Sequence, residues 1–321
     1  MKVFIPNSAY IQNFDSFIKR FDAREKGKLE IATHDKWVNV HPAILTLTAA
    51  LALEVGLKNV SIDEVTAASG HYLDRMGLFD LINKNSPCEI EKHESAGKFI
   101  PLTIIKNQAE QSKFITDMIP MLHLPADKAV AIRYAFGELV RNVLEHSKSV
   151  HGAVVAAQYY QKSNVIRLGI CDTGIGVWQS IVASWPAKTN LDALHLAIQP
   201  GITGTTKLEG GTEDNAGAGL FFIKSMSAIS RNYFLMYSGT AIYRLLKRRK
   251  TVGLPKLNAD PAKDRHSSTN TAPNFNGTLV AVDISLDEAE EFTAILGAIR
   301  EAYSASIKER KKARYKKPQF I

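Results

Sequence analysis

The residues able to do chemistry in this chain fall into three clusters and one closing pair. Glu138 and Asn142 stand four residues apart, so on a helix their side chains project from neighbouring turns of one face. A carboxylate and an amide oxygen placed together at the rim of a core can hold a metal ion and orient a water; the same pair also suits a solvated helix face. Asp172-Thr173-Gly174-Ile175-Gly176 ends an apolar run in a tight glycine turn, which fits either a ligand-facing acceptor or a plain turn. Gly217-Ala218-Gly219 precedes the apolar stretch Leu220 to Met226. Backbone amides at such a helix N-terminus favour phosphate, although a ligand-free helix entry reads the same way. Gly277-Thr278 opens the last strand-like segment.

The elements that must carry these residues are legible from periodicity. Asp127 to Ser147 reads as one helix, with Ile132, Ala135, Phe136, Leu139 and Val143 on one face. Val165 to Cys171 reads as a strand running into Asp172, Leu191 to Ile198 as a helix, and Leu220 to Met226 as another. Tyr233 to Tyr237 and Ala241 to Leu245 form a hairpin around Ser238-Gly239-Thr240, and Gly277 to Ile284 returns as an alternating strand. Nearer the start, strands at Leu29–Ala32 and Asn59–Ile62 alternate with helices at Pro42–Val55 and Thr66–Leu81. These elements divide the chain into an α/β recognition domain over 1–97, a ligand-binding domain over 98–285 and a C-terminal helix with a basic tail over 286–321. Proline- and glycine-bearing residues 177–216 read as a lid, and 247–275, rich in Pro, Asn, Ser and Thr, as a mobile insertion.

Composition narrows the class. A chain of 321 residues, 45% hydrophobic, can bury one large or two medium cores. Two distant cysteines, Cys88 and Cys171, give neither a disulfide framework nor metal-ligand spacing, which suits a reducing cytoplasm. The first residues lack the apolar stretch of a signal peptide, and the longest apolar run, Ala43 to Leu57, is broken by Thr46, Thr48 and Glu54. No membrane partner is expected. The net charge of +8 gathers at Lys247-Arg248-Arg249-Lys250 and between Lys308 and Lys317, where seven basic residues face one acid. Such runs attract nucleic acid or an acidic protein, and equally form solvated tails.

The order and intervals of the four motifs resemble the Bergerat-type ATP-binding domain, the GHKL superfamily of histidine kinases, DNA gyrase, heat-shock chaperones of the ninety-kilodalton class and mismatch-repair proteins. The resemblance runs from Glu138 to Thr278. It implies a two-layer α/β sandwich with a mixed sheet, and ATP and Mg²⁺ as ligands. In that family the residue matching Asp172 accepts the adenine amino proton, Gly174 and Gly176 let backbone approach the base, and Thr278 lies near the adenine. Gly217 and Gly219 match the phosphate-facing glycines, Asn142 the magnesium ligand and Glu138 the general base for water. His146 occupies a place where many relatives carry a basic residue directed at phosphate; an exposed helix-end histidine beside Glu145 is the other reading. The order of elements in residues 1–97 resembles half of a STAS domain, but Trp37 to Pro42 stand where phosphorylatable members carry a serine or threonine.

No histidine lies in the His-Glu-x-x-x-Pro context of a histidine kinase, and the short remainder after Ser285 leaves no room for a transducer domain. The organisation is similar to stand-alone regulators of the anti-sigma-factor kinase type. The resemblance therefore implies a Mg-ATP-binding regulator whose lid closure controls a protein partner, with slow hydrolysis or Ser/Thr phosphorylation, and with a homodimer among its expected states. The alternative is a non-catalytic, nucleotide-gated interaction module, such as a defence or toxin–antitoxin component, whose basic tail contacts nucleic acid or an acidic protein.

Overall fold

The structure is a computed structural model that describes every residue except 26, 89–98, 118, 125, 205–218, 250–255, 287–291 and 316–321. The N-terminal part contains β1 (Lys2–Ile5), β2 (Ser8–Ala9), α1 (Asp15–Ile18), β3 (Leu29–Thr33), β4 (Asn39–Val40), α2 (Pro42–Val55), β5 (Val60–Ile62), α3 (Ala67–Arg75) and α4 (Leu78–Ile82). Strands β1, β3 and β5 form a parallel sheet with β3 in the middle, and β2 pairs with β4. The segment expected as one helix over 66–81 is two, α3 and α4, because Gly77 adopts φ +76° between them.

The rest contains β6 (Phe99–Ile105), α5 (Gln108–Asp117), α6 (Ala126–Asn142), β7 (Ala153–Tyr160), β8 (Val165–Asp172), α7 (Gly176–Val182), α8 (Asn190–Ala197), α9 (Gly219–Ile229), β9 (Phe234–Gly239), β10 (Ala241–Leu245), β11 (His266–Thr269), β12 (Phe275–Ser285) and α10 (Phe292–Tyr315). Seven strands make one sheet in the order β11-β10-β9-β12-β8-β7-β6. Every pairing in it is antiparallel, which corrects the expected mixed sheet. Tight connections such as Gly239-Thr240 between β9 and β10 impose antiparallel neighbours, and β12 inserts antiparallel between β8 and β9.

Both faces of this sheet are covered: α6 and α9 lie on one, and the N-terminal part adds a further layer on the other. Ile166, Leu168 and Ile170 of β8 face the core under α6 and α9, while Cys171 joins the opposite core with the N-terminal part. That second face is closed by α2, which packs on β7, β8 and β12. Helix α2 starts at His41, whose Nδ1 accepts from Ala43 N–H at 3.0 Å, has Pro42 in its first turn, and ends at Gly56 with φ +79°. Its side chains from Pro42 to Ala52 are all buried, the pattern of a helix with packing on every side.

The two parts come close together at Gly169. A Cβ there would stand 2.4 Å from Ala43 Cα and 2.5 Å from Ala43 N, so only glycine lets α2 lie on the strand. Gly169→Ala is expected to cost about 1–3 kcal/mol through overpacking, read as a lower urea midpoint with unchanged slope. His41 Nε2 also meets Asp283 Oδ1 of β12 at 3.1 Å, and Arg167 of β8 stacks between the rings of Tyr10 and Tyr160.

The stretch expected as a mobile insertion, 247–275, carries β11, which pairs with β10 as the sheet's edge. Its sequence, His-Ser-Ser-Thr, has no apolar alternation to announce a strand. Within 177–216, α7 and α8 are packed, with Val177, Ile181, Ala193 and Leu194 in the core; the rest of that stretch, after Gly204, lies outside the described residues. Helix α10 leans on α6 and α9 through Ile299 and Tyr303. No helix among the described residues is long and apolar enough to cross a membrane.

Candidate functional site

The chemistry-bearing residues converge on a cleft between α6, α7, α8 and the helix-facing side of β8, β9 and β12. The floor is a row of apolar side chains in register, Ile170 on β8, Val280 on β12 and Met236 on β9. Leu139 and Val143 from the α6 side and Val177, Ile181 and Ala197 from α7 and α8 form the walls. This apolar lobe is open to solvent, with about 600 Å³ of empty space counted out to its mouth. A second lobe of about 460 Å³ shares Asn142, His146, Ile181, Ala197 and Leu220 with the first and adds Arg141, Ile202, Thr203, Gly204 and Gly219.

At the inner end of the apolar lobe, Asp172 terminates β8 directly opposite Thr278. Its side chain is 2% exposed. Burial pushes its carboxyl up to about 7, against hydrogen bonds from the Gly174 N–H, 2.7 Å from Oδ1, and from the backbone and hydroxyl of Thr278. A buried carboxylate with spare acceptor capacity beside an apolar slot suits a flat ligand that brings its own N–H donor.

The glycine turn is shaped by the protein itself. A Cβ on Gly174 would fall 1.9 Å from the Ser147 carbonyl oxygen, and that oxygen accepts from Ile175 N–H at 2.7 Å. Gly174 therefore lies behind the cleft, locking the turn to the end of the α6 segment, while Gly176 lines the cleft as the first residue of α7. Ser238 Oγ completes the corner, accepting from Val177 N–H at 3.0 Å and donating to Gly277 O at 2.6 Å.

The helix expected over 127–147 changes pitch after Asn142, where Val143–Ser147 form a π-helical turn. Such turns re-aim side chains, and here His146 and Ser147 both face the cleft. Burial holds the His146 imidazole below its ordinary value, opposed by Glu145 with its Oε2 at 3.8 Å, so His146 is a neutral donor or acceptor near pH 7.

Glu138, Asn142 and Gly219 meet at the polar lobe. A Cβ on Gly219 would stand 2.5 Å from Glu138 Oε2 and 3.5 Å from Asn142 Nδ2. Gly219 is the first residue of α9, whose first amide hydrogens have no partner within the helix. Asn142 Nδ2 is itself buried without a hydrogen-bond partner among the described residues. Glu138 is 12% exposed and accepts from Arg141 Nη2 at 2.6 Å. Burial raises its carboxyl above the usual range, Arg141 opposes this, and Glu145 adds to it.

The structure thus brings together Asn142, His146, Asp172, Gly176, Gly219 and Thr278, with Glu138 against Gly219 and Gly174 behind the turn. Gly217 lies outside the described residues. Sequence reading misses Arg141, although its place three residues after Glu138 is a helical pairing distance, and it misses Ser147 and Ser180, which carry no local pattern. No protein-family model matches the chain, and no curated protein matches it in sequence.

Proposed function

We propose that this chain binds ATP with Mg²⁺ in the two-lobed cleft and couples the bound state to association with a protein partner, with slow hydrolysis or Ser/Thr protein phosphorylation ending that state. The observation that carries the reading is the cleft's polarity. A buried carboxylate, Asp172, stands at the end of an apolar slot, and an unpartnered amide, Asn142, stands beside a helix N-terminus in the other lobe. Base in the slot and phosphates by α9 is the orientation that satisfies both.

The residues fit the metal in kind. No group of three or more His, Cys, Asp or Glu that could hold an ion exists among the described residues, but Mg²⁺ on a triphosphate needs only one or two protein oxygens. Asn142 Oδ1, reached by rotation of its amide, and the Glu138 carboxylate are the candidates. An ion held there would supply positive charge to offset that of the phosphates. The chain's own residues do the rest: Asp172 and Thr278 orient the base, the apolar walls exclude water, and Glu138 stands where it can accept a proton from a water or hydroxyl.

A second reading, a nucleotide-gated interaction module without turnover, is favoured by the engagement of Glu138 with Arg141, which ties up the one candidate base. Exposed Lys308 and Lys312 near the end of α10 then give nucleic acid or an acidic protein as partner. The two readings part on one comparison, using γ-labelled ATP with Mg²⁺ in single turnover. Asn142→Ala is expected to weaken Mg-ATP binding about 10-fold or more under both. Glu138→Ala abolishes phosphate release or label transfer only under the first. Tight binding with neither product in the unaltered protein selects the second, and no binding at all sinks both.

A further inference from the structure

Arg141 is the only charged residue lining the polar lobe among the described residues, since Glu138 lies against Gly219 and His146 is kept neutral by burial. Its guanidinium is attached at one end. Nη2 donates to Glu138 Oε2 at 2.6 Å, Nε is 3.9 Å from Glu145 Oε1, and Nη1 has no partner among the described residues. The side chain is 42% exposed, whereas its carboxylate partner is 12% exposed. A guanidinium carries five N–H donors in a planar fork, so one edge can stay on a carboxylate while the other takes a phosphate.

Resting on the nucleotide reading above, we propose that Arg141 reads the terminal phosphate: tethered and aimed by Glu138, its free edge pairs with the γ-phosphate and makes the site prefer a nucleoside triphosphate over a diphosphate. The direction of the lobe supports this. Asp172 lines only the apolar lobe and Arg141 only the polar one, with Asn142 and His146 shared between them, so a ligand whose base sits by Asp172 brings its far end into the lobe that holds the guanidinium. Glu138 has a positioning role in this arrangement. The pairing uses Glu138 Oε2 alone, so one carboxylate oxygen can aim the guanidinium while the other stays available to a water or hydroxyl.

The test is calorimetric titration of the full chain with Mg²⁺ and either ADP or the non-hydrolysable probe adenylyl imidodiphosphate. In Arg141→Gln, affinity for the triphosphate probe is expected to fall roughly 10- to 100-fold, the worth of one charge-assisted contact, while ADP affinity stays within about threefold. Because Arg141→Gln strands a buried carboxylate, Glu138→Gln/Arg141→Gln is measured beside it and is expected to show the same loss of preference. Equal weakening of both ligands, or no weakening of either, overturns the proposal. If the unaltered protein binds both ligands and Asp172→Asn abolishes both while Arg141→Gln changes neither, the role of Arg141 falls and the nucleotide reading stands. If the unaltered protein binds neither, both fall together.

Discussion

Asp172→Asn is expected to yield a protein that no longer holds nucleotide and yet is more stable than the original above pH 7. In the unfolded chain an aspartate ionises near the ordinary value of about 4, and in the native state this one ionises at about 7. Between those values the native state keeps a proton that the unfolded state has released. Stability is therefore fully present below about pH 4, falls as pH rises through the window, and levels off above the folded value. The penalty at pH 8 is on the order of 4 kcal/mol, at about 1.4 kcal/mol per pH unit. Asparagine keeps the oxygen that accepts from Gly174 N–H and cannot be charged, so the variant's urea midpoint should match the original at pH 4 and exceed it at pH 8. Equal differences at both pH values would sink the account of Asp172 as a buried titrating acid. Under the proposed reading an adenine amino group would donate to the ionised carboxylate, so affinity of the unaltered protein for ATP should fall by up to about tenfold per unit as pH drops below 7. A site that destabilises the free protein and is relieved by its ligand is a familiar trade between stability and activity.

Lys224→Met is expected to be the most damaging single change away from the cleft. Lys224 Nζ lies 2.7 Å from Asp264 Oδ2, with the two side chains 2% and 3% exposed. Asp264 also accepts from Asn258 Nδ2 at 3.0 Å and from Tyr243 OH at 3.3 Å, and Arg248 approaches to 3.5 Å. Burial lowers the Lys224 ammonium from its ordinary value, and Asp264 opposes that shift. Removing the lysine leaves a buried carboxylate with only the half-withdrawn Arg248 as counter-charge, which costs about 3–5 kcal/mol. The measurement is chemical unfolding at pH 7. The paired variant Lys224→Met/Asp264→Leu removes both charges and should regain most of the loss. A single-variant loss below about 1 kcal/mol would show that Arg248 takes over the pairing. The pair pins the segment before β11 to α9, so its loss should also loosen the sheet's outer edge.

The elements legible in the sequence are those whose pattern is local. The strand into Asp172, the hairpin at Gly239-Thr240, α9 and the terminal strand all lie where apolar spacing puts them. The convergence of Asn142, Asp172 and Thr278 is expected only through the family resemblance, since no local pattern says which strand and helix ends meet. Other features have no local trace. β11 has only polar side chains, and Lys224 meets Asp264 across 40 residues. The short α7 reads as part of a lid because its seven residues begin in a glycine turn. The all-round burial of α2 is visible only as an unusually apolar helix, and its own residues do not say what lies on its far side. Arg141 is legible in its spacing from Glu138, but a surface ion pair is the ordinary meaning of such a pair.

The glycine contact at Gly169 and the His41 to Asp283 bond join the described N-terminal elements, β1 to α4, to the strands under the cleft. Strands β8 and β12 carry Asp172 and Thr278 near one end and Arg167 and Asp283 further along, so each strand is loaded by the cleft and by the N-terminal part at separate points. Heat or denaturant should then see one transition, because releasing α2 would expose Val154, Ala156, Cys171, Leu279 and Ala281 to water together. Anything that grips the N-terminal part holds the far side of the same two strands that carry Asp172 and Thr278, so a displacement there bears directly on both residues.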